Sequence, residues 1–223
     1  MRTKAKWVAL LLTLVMIFSF TACGGQSDLS EESWGDQYQA LVESGEAREH
    51  TDYQAMADTL IDIRDESGAT YVYVMSPGVD GEPVLESENT TEQPFLLTVE
   101  GSEDPDPWAE DYGWEVQFTE AWEGVPAAAR SAWDDSDAGD ASYMCWSAFA
   151  PIFNSEGAVV AILGIDYPCT DVLDKYPEWN RYADNWNKYV DKIDGEIPAE
   201  IQQTMDDVTA IADKYAKQLS AAE

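Results

Sequence analysis

Two apolar runs, Met144–Phe153 and Ala158–Ile165, flank the tetrapeptide Asn154-Ser155-Glu156-Gly157. Asn, Ser and Gly accept turn geometry that Val, Ile and Phe resist, so the spacing predicts a β-hairpin. Both runs are too short to span a bilayer. Their apolar residues are nearly continuous, as in strands covered on both faces. Pairing Phe153 with Ala158 places Cys145 opposite Asp166. One face then carries Tyr143, Cys145, Ser147 and Phe149 together with Val160, Ile162, Gly164 and Asp166, because side chains alternate along a strand. A carboxylate at the end of an apolar strand costs free energy unless something satisfies it. Asp166 is therefore the first candidate for a functional role.

The N-terminus reads as an address. Arg2, Lys4 and Lys6 precede the apolar stretch Trp7–Phe20, and Phe20-Thr21-Ala22-Cys23 closes it with small residues, the layout of a secretory signal. Ala22-Cys23 followed by Gly24-Gly25 resembles a bacterial lipobox, although Phe20 stands where Leu is usual. That resemblance implies removal of residues 1–22, lipidation of Cys23, and a polar tether over 23–32. The expected location is the cell membrane, lipid-anchored and facing outside the cytoplasm.

Loss of Arg2, Lys4 and Lys6 would take the formal charge from −32 to −35. A chain this acidic has no basic surface for phosphates, which excludes nucleic acid as a natural partner. It also disfavours adsorption to anionic lipid, leaving the acyl chains to anchor the protein. Apolar residues make up 45% of the chain and 26 are aromatic, too many for a disordered acidic tail.

From Ser33, Trp34, Tyr38, Leu41 and Val42 recur at helical spacing. After Gly45, Thr51 can cap a second helix that turns Tyr53, Met56, Ala57, Leu60, Ile61 and Ile63 inward and stops at Gly68. Thr70–Ser76 alternates as a strand, with Pro83–Glu86 returning after Pro77-Gly78 and Asp80-Gly81. Residues 87–140 are hard to read; Phe118, Ala121 and Trp122 predict a short helix ending at Gly124, and Pro126–Trp133 another. Asp171–Tyr189 has helical spacing interrupted by Pro177. Ala199–Leu219 is a last amphipathic helix.

The run Ser147–Ile152, a turn at Gly157, and Val159–Asp166 resemble the last hairpin of extracytoplasmic Cache sensor domains, a PAS-like family found on bacterial chemoreceptors and kinases. Arg64–Met75 is similar to the end of that family's long first helix running into its first strand. The resemblance covers about residues 50–170. It implies an α+β fold with a PAS-like antiparallel sheet, a long N-terminal helix, and a middle segment that forms one wall of a ligand pocket. The domain would run over 33–170, with a helical extension over 171–223 peripheral to it. In amino-acid-binding members the matching aspartate holds the ligand's ammonium. Those members also carry Arg-x-Trp-Tyr, where this chain has Arg130-Ser131-Ala132-Trp133.

The expected ligand-binding residues are accordingly Asp166, Ser147, Phe149, Tyr143, Trp133 and Arg130. Arg130 is the only base between Asp65 and Asp174; it either clamps a ligand carboxylate or forms a structural ion pair. No catalytic residue, metal site or cofactor is expected. His50 is the lone histidine, and no Ser-His-Asp set, zinc cluster or phosphate loop occurs. Asp134–Asp140 is acidic but breaks the EF-hand order, with Gly139 at the fifth position counted from Asp135 and Trp146 at the twelfth. Cys145 and Cys169 could bridge only if the chain doubles back after Pro168. The reading is a lipoprotein that binds a small, amine-bearing ligand and acts through a separate membrane signalling or transport partner. The alternatives are a structural or adhesive surface lipoprotein with a filled core, or a hydrolase of envelope polymers.

Overall fold

The computed structural model describes residues 32–88, 91, 93–130, 132–134, 144–179 and 197–221. Residues 1–31, which include the expected leader and Cys23, lie outside the described residues, as do Tyr143 and the acidic residues 135–140. Among the described residues no helix is long and apolar enough to cross a membrane.

Ser33 caps α1 (Trp34–Ser44): its hydroxyl accepts from the Asp36 amide while the Asp36 carboxylate accepts from the Ser33 amide. These two bonds satisfy donors that a helix start leaves open. Gly45 ends the helix in a left-handed conformation at φ 66°, which glycine adopts without Cβ strain. α2 (Tyr53–Ser67) buries Tyr53, Met56, Ala57, Leu60 and Ile63, and stops at Gly68. Its N-cap is Asp52, one residue later than expected, with no side-chain capping bond.

β1 (Tyr71–Val79) and the short β2 (Glu82–Pro83) follow, then β3 (Phe95–Glu100), β4 (Glu110–Asp111), α3 (Val116–Trp122), β5 (Ala127–Ala128) and β6 (Trp133–Asp134). β7 (Met144–Phe153) and β8 (Val159–Pro168) form the expected hairpin, and α4 (Thr170–Lys175) and α5 (Ala199–Ser220) complete the described elements. The sheet is antiparallel, in the order β4-β3-β1-β8-β7-β5, with β2 paired to β1 and β6 paired to β7. This is the expected α+β, PAS-like arrangement.

Alternation divides the sheet into two apolar faces. Val72, Val74, Val99, Trp146, Ala148, Ala150, Ile152, Leu163 and Ile165 pack with the helices α1, α2 and α5. A fully buried hydroxyl network ties α1 to this face: Tyr38 Oη lies 2.6 Å from Ser76 Oγ and 2.9 Å from Thr98 Oγ1. Tyr73, Met75, Phe95, Leu97, Phe149 and Ile162 face the other way, against Phe118 and Ala121 of α3. The middle segment thus covers the second face.

Three expectations need correction. Pro126–Trp133 is not a helix. Its alanines pair as β5 with Ala148 and Phe149, and the Ala129 amide donates to Ser147 O at 2.8 Å, so the chain satisfies the edge of β7. Next, α5 is no peripheral appendage. Ile201, Val208, Ala212, Tyr215, Ala216 and Leu219 belong to the main core, and Glu31–Glu223 forms one compact unit. The boundary near residue 170 is therefore not a boundary in packing. Finally, the hairpin register is shifted by two, so that Ser147 opposes Asp166 and Cys145 opposes Pro168. An irregularity at Ile152/Phe153 and the Asn154 side chain produce the shift. Asn154 Oδ1 accepts the amides of Glu156 and Ala158, and Gly157 sits at φ 81°. Because the shift is even, Ser147, Phe149, Ile162, Gly164 and Asp166 keep their predicted face, whereas Val160, beside the irregularity, packs with the helical face.

Candidate functional site

Asp166 lies near the end of β8, on the face covered by the middle segment, and is 6% exposed. Its strand position lies between Tyr71 of β1 and Ser147 of β7. The neighbouring pair is Tyr73 opposite Gly164. A Cβ at Gly164 would stand 2.3 Å from Tyr73 Cε2, so glycine is what lets the Tyr73 ring lie across β8. In that position Tyr73 Oη donates to Asp166 Oδ1 at 3.1 Å. Burial, and next Asp166, push the Tyr73 phenol well above its ordinary pKa, which keeps it a proton donor.

Further aromatics stand around this carboxylate. Tyr112 tilts against Tyr73 with ring centroids 5.8 Å apart, and burial and Asp166 push its phenol up as well. Trp133, paired with Cys145 on the same face, meets Tyr71 edge-on at 6.1 Å. Tyr71 and Tyr112 are among the few large hydrophobics that reach solvent, at 40% and 39% exposure. An accessible aromatic rim therefore surrounds a buried acid.

The middle segment adds a second carboxylate, Glu115, immediately before α3. Its nearest described partner is the amide of Gln117, which is itself buried. Burial first, and Asp166 second, push the Glu115 carboxyl up to about 8. The two acids thus sense one another, and Tyr73 senses both. Such a pair favours a bound cation or a retained proton, since two buried like charges repel.

Of the expected site residues, Asp166, Ser147 and Trp133 share this face around one position. Phe149 shares the face but lies in the core, 3% exposed and edge-on to Phe118 at 4.6 Å. Arg130 is elsewhere. It pairs with Glu120 at 3.6 Å and lines an open groove of about 500 Å³ together with Asp206 and Asp213. The structural alternative for Arg130 is thus the one observed. Arg64 is also occupied, by Asp65, Glu103 and the Gly101 carbonyl. Glu115 was missed in the sequence, whereas Tyr112 is one of the middle-segment aromatics available to the expected pocket wall.

Cys145 and Cys169 are buried and form no disulfide with one another. Burial, then the neighbouring Cys145, pushes the Cys169 thiol up to about 12, so neither proximity nor acidity activates it. His50 lies 3.9 Å from Asp52, in the turn leading into α2. Among the described residues no group of three or more His, Cys, Asp and Glu could hold a metal ion.

No protein-family model, curated protein or solved structure matches the chain.

Proposed function

We propose that the protein is a membrane-anchored, extracytoplasmic binding lipoprotein whose sensor-like domain holds an amine-bearing small molecule on Asp166. The observation that carries this reading is the buried Asp166 carboxylate among Tyr71, Tyr73, Tyr112 and Trp133. An ammonium would gain a charge-assisted hydrogen bond there, and aromatic faces add about 0.5–2 kcal/mol of cation–π attraction. Both features reward positive charge and repel an anion. The Cache resemblance of the hairpin supports the same assignment. A binding protein of this size would pass its signal or cargo to a separate membrane partner.

The binding test is a thermal-shift screen of amines, amino acids, carboxylates and sugars, followed by calorimetry on the best hit. Asp166→Asn should keep the fold and weaken that hit by roughly ten- to hundredfold, the equivalent of about 1.5–3 kcal/mol for a charge-assisted contact. Unchanged affinity, or a dicarboxylate as best hit, refutes the assignment. The anchor has its own test. A fatty-acid analogue fed to cells should label the wild type and not Cys23→Ala; equal labelling would remove the lipoprotein reading.

A hydrolase reading has one observation in its favour. Glu115, held protonated beside Asp166, has the asymmetry of an acid/base carboxylate pair. Against it, Asp166 is 6% exposed and Tyr73 occupies one of its oxygens, which leaves little access for a polymer. Release of reducing ends from envelope glycans, abolished by Glu115→Gln, would favour that reading over binding.

A further inference from the structure

Tyr71 and Trp133 approach one another from opposite sides of Asp166. Tyr71 stands on β1 and Trp133 on β6, with β8 and β7 between them. At roughly 4.8 Å per strand their backbones are about 14 Å apart, yet their ring centroids are 6.1 Å apart and the rings meet edge-on. The two side chains therefore reach across the sheet. Beneath them lie Asp166 and Ser147, which share a cross-strand row with Tyr71, and Cys145, which stands opposite Trp133. Both rings lie outside the two apolar clusters, and Tyr71 keeps 40% of its surface in solvent. From the neighbouring row the Tyr73 phenol donates to Asp166 Oδ1 at 3.1 Å, and Tyr112 backs Tyr73 with ring centroids 5.8 Å apart. Asp166 is thus bordered by aromatic rings, and one of its oxygens already holds a hydrogen bond.

We propose that Tyr71 and Trp133 are the selectivity element of this site and that the ammonium it takes is methylated. This rests on the reading of Asp166 given above. A primary ammonium carries three N–H donors and is strongly hydrated, so binding has to replace its water with well-aimed acceptors. A quaternary ammonium has no donor to satisfy. Its charge is spread over methyl groups, and the negative faces of aromatic rings attract it. A carboxylate whose oxygen is already engaged by Tyr73 still balances that charge, because the balance needs no lone pair aimed at an N–H. Entry needs room where the two rings meet. The Tyr71 ring, exposed and outside the core, is the one that turns outward to make it.

Calorimetry of the full-length chain in detergent, with butylamine and butyltrimethylammonium as probes, tests this. The wild type should bind the quaternary probe about tenfold more tightly. Trp133→Leu and Tyr71→Leu should each bring the two probes within about threefold of one another, by weakening the quaternary one. Trp133→Phe keeps a ring face and should retain most of the preference. Tyr71→Leu, at an exposed position, decides the matter if Trp133→Leu fails to fold. An aromatic pair that only packs would lower the melting temperature when either ring is lost and leave the ratio of the two affinities unchanged. That result overturns the inference, as does a wild type that binds butylamine equally well or better. Either outcome spares the reading of Asp166 when Asp166→Asn still weakens the probe that binds. Failure of both probes to bind the wild type overturns both.

Discussion

Deleting Ala199–Ser220 should leave a chain without a cooperative unfolding transition. Ile201, Val208, Tyr215 and Leu219 are all under 5% exposed, and they cover the helical face of β7, including Trp146 and Ile152. Burial of a large apolar side chain is worth about 1.5–3 kcal/mol, and four of them together approach the whole stability of a domain, about 5–15 kcal/mol. The deletion also removes Ser220 Oγ, which accepts the Phe153 amide at 2.9 Å where β7 meets the hairpin turn. A milder variant separates unfolding from insolubility: Leu219→Ala should cost about 2–5 kcal/mol in chemical denaturation, as buried leucines do. A truncated chain that still melts cooperatively, with native-like near-ultraviolet circular dichroism, would return α5 to the status of an appendage.

The same helix shows what the sequence could and could not disclose. Its apolar stripe is legible at a period of 3.6 residues, but a stripe does not say which surface it covers. The hairpin behaves differently. Alternation alone puts Asp166 on one face with Ser147 and Phe149, and a register error of two leaves that result intact. Ala127–Ala129 misleads because alanine is the best helix former, whereas the open edge of β7 needs a backbone partner and takes one there. Phe95–Glu100 is an ordinary central strand, but it sits in a stretch punctuated by Pro94, Pro105 and Pro107, where no alternating pattern precedes or follows it. Glu115 is the hardest case. It is one acid among 44 acidic residues, and only its place between Trp114 and Val116 hints at burial. Its distinction is created by folding, which carries the middle segment over Asp166.

That distinction makes Glu115 a measurable liability in the empty protein. An ordinary glutamate titrates near 4.5, and in the fold Glu115 is pushed up to about 8 by burial and by Asp166. Below pH 4.5 both folded and unfolded chains hold the proton, so the group is neutral in its effect. Between 4.5 and 8 the folded chain binds more protons than the unfolded one, and stability falls as the pH rises, by up to about 1.4 kcal/mol per pH unit. Above 8 the loss is complete, a few kcal/mol after allowance for partial solvent access. Glutamine has the same shape without the charge, so Glu115→Gln should match the wild type near pH 4.5 and exceed it by that amount at pH 8.5. The difference between the two chains, followed by urea denaturation across pH, isolates this group from the other acids. A carboxylate kept where an amide would be more stable is a local conflict, and such conflicts belong at sites that await a ligand. A pH-independent difference between wild type and Glu115→Gln would mean that the carboxylate is solvated and free of Asp166.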